Sequence, residues 1–181
     1  MTYERTNFYI ITGCSGGGKS TLIEAMRSRG YQCVDEVGRQ IVQQQMRIGG
    51  DGTPWQDLVK FRELLLSHYM TVFEQVTERT QPVFFDRGLV ECVGYSRLVN
   101  VPTLQHHRAA ARIYRYAQRV FVTPPWKEIF RRDEERRHTF EDALAEYELT
   151  LQIYPELGYN LIEIPKAPVP ERVEFVLPQL F

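Results

Sequence analysis

The chain has 181 residues, 43% of them hydrophobic and 25% charged, with a formal net charge of −1. That length supplies one hydrophobic core, the composition excludes a disordered chain, and the absence of a basic excess argues against a nucleic-acid binder. The three cysteines, Cys14, Cys33 and Cys92, form no C-x-x-C pair, so free thiols in a reducing, cytoplasmic setting are expected rather than a zinc site or a disulfide framework. No window approaches the roughly 20 apolar residues of a membrane helix, and the apolar run Phe8 to Ile11 is too short for a secretory signal.

Short apolar runs alternate with longer helical stretches. Asn7 to Thr12 is aromatic and β-branched and runs into glycines, which predicts a buried strand. A helix from about Lys19 to Arg29 follows, stopped by Gly30, then a short strand over Tyr31 to Val34 and a helix over Glu36 to Ile48 that ends at the glycines from Gly49. Thr53, Pro54 and Gln56 have the spacing of a capping box with proline in the first helical position, and Trp55, Leu58, Phe61, Leu65, Tyr69, Val72 and Val76 then recur at helical spacing. Gln81 to Phe85 is the third strand. Helices are expected over Leu89 to Leu98 and Leu104 to Ala117, and a fourth strand over Arg119 to Thr123, closed by Pro124 and Pro125. Trp126 to Arg137 and Phe140 to Tyr154 read as helices, the second with Thr139 as cap and Asp142 as its N3 acid. Asn160 to Ile164 is the fifth strand, and Pro170 opens a last helix.

Strands separated by helices imply parallel β-α-β units with helices on both faces, and ligands in such sheets gather at the carboxyl ends of the strands. The first such end carries Gly13-Cys14-Ser15-Gly16-Gly17-Gly18-Lys19-Ser20, which fits G-x-x-x-x-G-K-[ST]. Glycines let backbone N–H groups close around phosphate oxygens, and the next helix aims its N-terminal dipole at the same anion. Gly13, Cys14, Ser15, Gly16, Gly17, Gly18, Lys19, Ser20 and Thr21 are therefore the candidate nucleotide-binding residues. Lys19 would reach the outer phosphates of ATP or GTP, and the Ser20 hydroxyl would ligate Mg²⁺. A chance match is disfavoured because a strand precedes the motif and a helix follows it.

Other strand ends carry further candidates. Val83-Phe84-Phe85 leads into Asp86-Arg87, where the acid can hold Mg²⁺ through water and the arginine can bind a second substrate; the plainer reading is a turn with a surface ion pair. Glu36 follows the second strand and could accept a substrate proton, and Arg39, one helical turn on, could hold a polar group; alternatively Glu36 only favours the helix dipole. Arg132 and Arg136 share a face in a run of arginines and acids. They suit either a lid over phosphoryl transfer or a self-paired solvated face. His106-His107 shows no acidic or cysteine partner at ligand spacing, and Arg108, Arg112, Arg115 and Arg119 read as a solvated helical stripe. The N-K-x-D motif of guanine-specific switches and the LSGGQ transporter signature are both absent.

The stretches GCSGGGKS, VDEVGR, FFDRG, PPWKEIFRRDEERR and LGYNLIEIP, with ERVEF near the end, resemble a family of small P-loop proteins described as AAA-type ATPases. These are similar to the kinase domain of nicotinamide riboside kinases of the bacterial NAD-regulator type, and more distantly to deoxyribonucleoside and thymidylate kinases. The resemblance covers nearly the whole chain. It implies one P-loop kinase-like domain over residues 1–181, a three-layer α/β/α fold with a five-stranded parallel sheet, and a helical lid at about 126–138. It makes Lys19, Glu36, Asp86, Arg132 and Arg136 catalytic candidates, Glu36, Arg39 and Arg87 substrate contacts, and Ser20 and Asp86 the Mg²⁺ ligands. One departure stands out: Glu91 occupies a place where this family has aspartate. The implied activity is phosphoryl transfer from ATP or GTP to a nucleoside-like or other small acceptor. The alternative is a nucleotide-binding regulator with slow hydrolysis and no acceptor. The implied partners are the triphosphate and that acceptor, with no nucleic acid or membrane and a homodimer left open.

The first prediction concerns the phosphate loop alone. Lys19→Ala should abolish Mg²⁺-dependent triphosphate binding in calorimetry, and unchanged affinity would refute the loop assignment.

Overall fold

Residues 2–78, 80–130 and 139–180 are described in the computed structural model of the chain. A two-residue strand, β1 (Tyr3–Glu4), precedes β2 (Phe8–Gly13), whose six residues are all buried. The chain continues through α1 (Lys19–Ser28), β3 (Gln32–Val34), α2 (Val37–Ile48), α3 (Leu58–Gln75), β4 (Val83–Asp86), α4 (Glu91–Leu98) and α5 (Gln105–Ile113). It then forms β5 (Tyr114–Arg115), β6 (Arg119–Thr123), α6 (Phe140–Glu156), β7 (Asn160–Glu163) and α7 (Val169–Val176).

Five strands form one parallel sheet in the order β3-β4-β2-β6-β7. β2 is the hinge of this topology: the chain leaves it toward β3 and β4 on one side and returns to β6 and β7 on the other. The crevice where the order reverses is the standard ligand position of such sheets, and β2 delivers the glycine loop into it.

Burial on both faces explains the unbroken apolar runs. Successive strand residues point to opposite faces: Phe8 and Ile10 join one core cluster, whereas Tyr9 and Ile11 join the other. The first cluster is closed by Ile41 of α2, Phe61, Leu65 and Phe73 of α3, Val93 of α4, Ala111 of α5 and Ile153 of α6. The second is closed by Leu22 and Met26 of α1 and Val173 and Val176 of α7. The fold is thus a three-layer α/β/α sandwich. No described helix is long and apolar enough to cross a membrane.

Local chemistry sets the boundaries, and three differ from expectation. α3 does not begin at Thr53: residues 53–56 make a separate turn, and Asp57, in extended backbone, caps the helix by accepting from the Lys60 N–H at 2.9 Å. α5 ends at Ile113 because the next residues are claimed by a strand pair. Tyr114 and Arg115 lie in register with Tyr3 and Glu4, and the Tyr3 and Tyr114 rings stack at 5.3 Å. The helix expected from Trp126 is a turn over its described part, with the Phe130 N–H bonded to the Trp126 carbonyl; the remainder, including Arg132 and Arg136, lies outside the described residues. The capping box of α6 is present: Thr139 Oγ1 accepts from the Asp142 N–H and the Asp142 carboxylate accepts from the Thr139 N–H.

Gly13 ends β2 at φ 121°, and a Cβ there would lie 2.3 Å from the Thr123 carbonyl oxygen on β6. Gly13→Ala therefore combines left-handed backbone with a clash against main chain, and should lower stability by roughly 1–3 kcal/mol or more in urea unfolding. A change within 0.5 kcal/mol would show that the loop entrance is not constrained as the structure has it.

Candidate active site

The loop after β2 is built to expose donors. Gly18, at φ 79°, caps α1 without a side chain, and a Cβ there would meet the Arg172 guanidinium at 2.8 Å. The N–H groups that follow belong to the first turn of α1, where no intrahelical carbonyl can satisfy them. Ser20 and Thr21 are exposed at that turn. Lys19 is buried, and its ammonium donates to the carbonyls of Gly13 at 3.0 Å and Cys14 at 2.7 Å. An ammonium has three N–H donors, so two of them brace the loop in this structure. Burial lowers the Lys19 pKa, the nearby Arg87 charge lowers it further, and Asp86, Glu146 and Glu36 oppose the shift.

Arg87 is the centre of the site. It follows the last residue of β4 in left-handed backbone, φ 69°, with its N–H bonded to the Ile11 carbonyl of β2 at 3.0 Å. That conformation costs a non-glycine residue on the order of 1–3 kcal/mol and is maintained where the surroundings over-determine it. Here the surroundings are acids from three helices. Arg87 Nη2 lies 2.6 Å from Glu146 of α6, Nε lies 3.4 Å from Glu36 at the start of α2, and Nη1 lies 3.5 Å from Glu91 of α4. Burial works against the guanidinium charge, but Glu146 first, then Glu91, Glu36 and Asp86, more than reverse it. Asp86 itself is buried at the strand end, in register with Ile11.

Glu91 and Glu146 each hold more than one partner. Glu91 Oε1 accepts from Thr12 Oγ1 at 2.6 Å and from the Tyr154 hydroxyl at 2.8 Å, which ties α4 and α6 to the end of β2. An acid one methylene longer than aspartate is what makes that span. Glu146 Oε2 accepts the Ser15 N–H of the loop at 2.8 Å while Oε1 holds Arg87. Burial raises the Glu146 carboxyl, but Arg87 and then Lys19 outweigh it and leave its pKa below the ordinary value.

Two cavities meet at this loop. One, of about 470 Å³, is lined by Ser15, Glu36, Arg39, Arg87 and Glu146 at its polar end and by Trp55, Phe61, Leu65, Tyr69 and Tyr95 elsewhere. The other, of about 480 Å³, is lined by Gly16, Gly18 to Thr21, Trp126, Ile129, Pro168 and Arg172. Arg172, 4% exposed, donates to the Gly18 carbonyl at 3.1 Å and faces the Trp126 ring at 5.9 Å. Among the described residues its Nε has no hydrogen-bond partner, and burial lowers its pKa.

The structure gathers Lys19, Glu36, Arg39, Asp86 and Arg87 of the sequence candidates around the loop. Arg132 and Arg136 fall in 131–138 and lie outside the described residues. The sequence reading missed Glu146 and Arg172. Each is a charge on the buried stripe of a helix: Glu146 lies between Ala143 and Thr150, and Arg172 is beside Val173 and Val176. A charge at an apolar register position was the available signal. The sequence also showed no acid near His106 and His107, yet Glu63 of α3 lies 3.1 Å from the Nε2 of each. His107 is fully buried, and its Nδ1 has no partner among the described residues. A metal on Nε2 would make that Nδ1 an unsatisfied buried donor, so the cluster is read as a hydrogen-bonded tie between α3 and α5.

A family model described as an AAA domain matches residues 8–172. No curated protein sequence matches the chain. Among solved structures it is similar to deoxyadenosine kinase from M. mycoides, with 16% identity, a TM-score of 0.67, and 96% of this chain and 98% of that one covered. It is similar also to thymidylate kinase from Candida albicans, with 11% identity, a TM-score of 0.72, and 97% and 91% covered. Shikimate kinase from Acinetobacter baumannii matches at 13% identity and a TM-score of 0.62, over 98% and 94% of the two chains. At these identities the likeness is one of fold.

Arg87→Met should destabilise the protein by roughly 3–5 kcal/mol at pH 7, because it strands buried carboxylates. Glu146, with a folded pKa below the ordinary 4.5, contributes stability that is complete above that value and is lost as pH falls through the lower folded one. In the variant Glu146 loses that cation while its burial favours the neutral form, so the deficit should shrink as pH falls from 7 toward 5. Urea unfolding at both pH values measures this; an undiminished deficit would refute the electrostatic account.

Proposed function

This chain belongs to the AAA domain family, and from that premise and the site geometry we propose that it is a Mg²⁺-dependent phosphotransferase. It moves the terminal phosphoryl of ATP or GTP to a nucleoside-like or other small acceptor. The observation that carries the reading is the pair of cavities joined at one phosphate loop. Gly16 and Gly18 to Thr21 line one cavity, and Ser15, Glu36 and Arg87 line the other. A regulator that only binds and hydrolyses a nucleotide has no use for the second. The acceptor cavity combines aromatic and aliphatic walls with a few convergent charges, which suits a flat ring bearing a hydroxyl.

In this reading the N–H groups of the loop and the first turn of α1 hold the phosphates, and Lys19 supplies a positive charge beside them. Glycines that leave no room for a Cβ support a close backbone approach to an anion. Ser20 and Asp86 are oxygen donors of the kind magnesium takes, and Asp86 is near enough to Lys19 to influence its charge. When bound, the ion neutralises charge on the phosphate oxygens. Glu36 accepts the proton of the acceptor hydroxyl. Arg87 and Arg39 orient the acceptor, and Arg132 and Arg136 act as lid arginines. Trp126 and Pro168 flank the nucleotide base, with Arg172 close to the ring. Positioning and charge stabilisation carry most of the rate.

A screen of nucleosides, nucleotides and vitamins with ATP or GTP and Mg²⁺ should find one that stimulates diphosphate release. With that acceptor, Asp86→Asn should raise the Mg²⁺ requirement. Glu36→Gln should leave triphosphate affinity nearly intact and cut transfer by about 10²- to 10⁴-fold. If no acceptor stimulates turnover and Glu36→Gln leaves slow hydrolysis unchanged, the phosphotransferase reading is wrong.

A further inference from the structure

Glu146 occupies a position that the proposed reaction does not use. It sits on the buried stripe of α6, and its two oxygens serve different parts of the site: Oε1 pairs with Arg87 Nη2 at 2.6 Å, and Oε2 accepts the Ser15 N–H at 2.8 Å. Ser15 is the third residue of the glycine motif. It lines the acceptor cavity, whereas Gly16 and Gly18 to Ser20 of the motif line the other cavity. A nucleotide with its base in the second cavity and its phosphates along the loop brings its last phosphate to the boundary between the two. That boundary is the Ser15 N–H.

A backbone N–H donates one strong hydrogen bond. A terminal phosphate oxygen and Glu146 Oε2 therefore compete for one donor, and two anions that close repel each other inside a closed site. The same phosphate would also attract Arg87, the other partner of Glu146. The Glu146 side chain is 21% exposed, so its carboxylate has room to withdraw into the acceptor cavity. Thr150 and Tyr154, further along α6, remain bonded to the Glu146 carbonyl and to Glu91, so the helix itself need not move.

We propose that Glu146 is a specificity-determining residue that competes with the terminal phosphate for the Ser15 N–H, and yields that N–H and Arg87 to a nucleoside triphosphate but not to a diphosphate. The inference rests on the proposed reading of the loop as a triphosphate site. Its consequence is selective. Glu146 weakens triphosphate binding in the ground state, leaves diphosphate binding untouched, and couples arrival of the terminal phosphate to release of Arg87 from its ion pair. A residue that merely props α6 against the loop would affect both nucleotides alike.

The test is calorimetry with Mg²⁺ and four probes, AMP-PNP, GMP-PNP, ADP and GDP, on the wild-type chain, Glu146→Gln and Glu146→Asp, with thermal melts as a check on folding. Glu146→Gln removes the competing charge and should tighten binding of the preferred triphosphate analogue by about tenfold, the scale of one hydrogen bond to a charged group. Affinity for the matching diphosphate should stay within about twofold of wild type on the same argument. Glu146→Asp keeps the charge beside Arg87 but shortens its reach to Ser15, and should show the same selective tightening if the glutamine variant does not fold. An equal change for triphosphate and diphosphate, or weaker triphosphate binding, overturns this proposal and leaves the nucleotide site standing. A wild-type chain that binds none of the four probes overturns both.

Discussion

The buried Arg87 guanidinium is the constraint on which the rest of the site depends. It is the residue after β4, it is in left-handed backbone, and it draws carboxyl groups from α2, α4 and α6 to one point beside the phosphate loop. Without an internal cation those acids would not sit together in a low-dielectric interior. The helices they come from also build the wall of the cavity lined by Glu36, Arg87 and Glu146, so its shape is in part an electrostatic consequence.

The balance of charge is uneven. Among the described residues, Lys19 and Arg87 face Glu36, Asp86, Glu91 and Glu146. The second cavity has a different character: there Arg172 meets the Gly18 carbonyl, the Thr21 hydroxyl and the Trp126 indole ring. Carboxylates gather on the Arg87 side of the loop, and the buried Arg172 lies on the other.

The location of all this follows from topology. β2 lies between β4 and β6, and the strand order reverses across it. Its carboxyl end opens into a crevice that neither neighbouring crossover covers. Gly13 at that point packs so tightly against Thr123 of β6 that the loop starts at a fixed place relative to both sides of the sheet. The Thr123 hydroxyl, bonded to the Thr12 carbonyl at 3.2 Å, holds the same junction. Rigid sheet positions beneath a glycine loop allow backbone donors to be aimed without the help of side chains.

Much of this was legible in the residues. Period, glycine placement and cap chemistry are local properties, so the five strands, the phosphate loop, the Thr139–Asp142 cap and the Asp86-Arg87 pair could be read along the chain. Boundaries failed where a distant segment intervened: Tyr114 and Arg115 became a strand because Tyr3 and Glu4 offered them partners. The same distinction holds in the site. Residue type and short spacing are enough to nominate groups for holding phosphate and metal. Tertiary packing is what brings Glu146 to Ser15 and Arg87, Glu91 to Thr12 and Tyr154, and Arg172 to Gly18. Glu146 and Ser15, Glu91 and Thr12, and Arg172 and Gly18 are separated by 131, 79 and 154 positions, and contact between a buried charge and its partner across such distances is set by the packing of helices on the sheet, not by any local pattern.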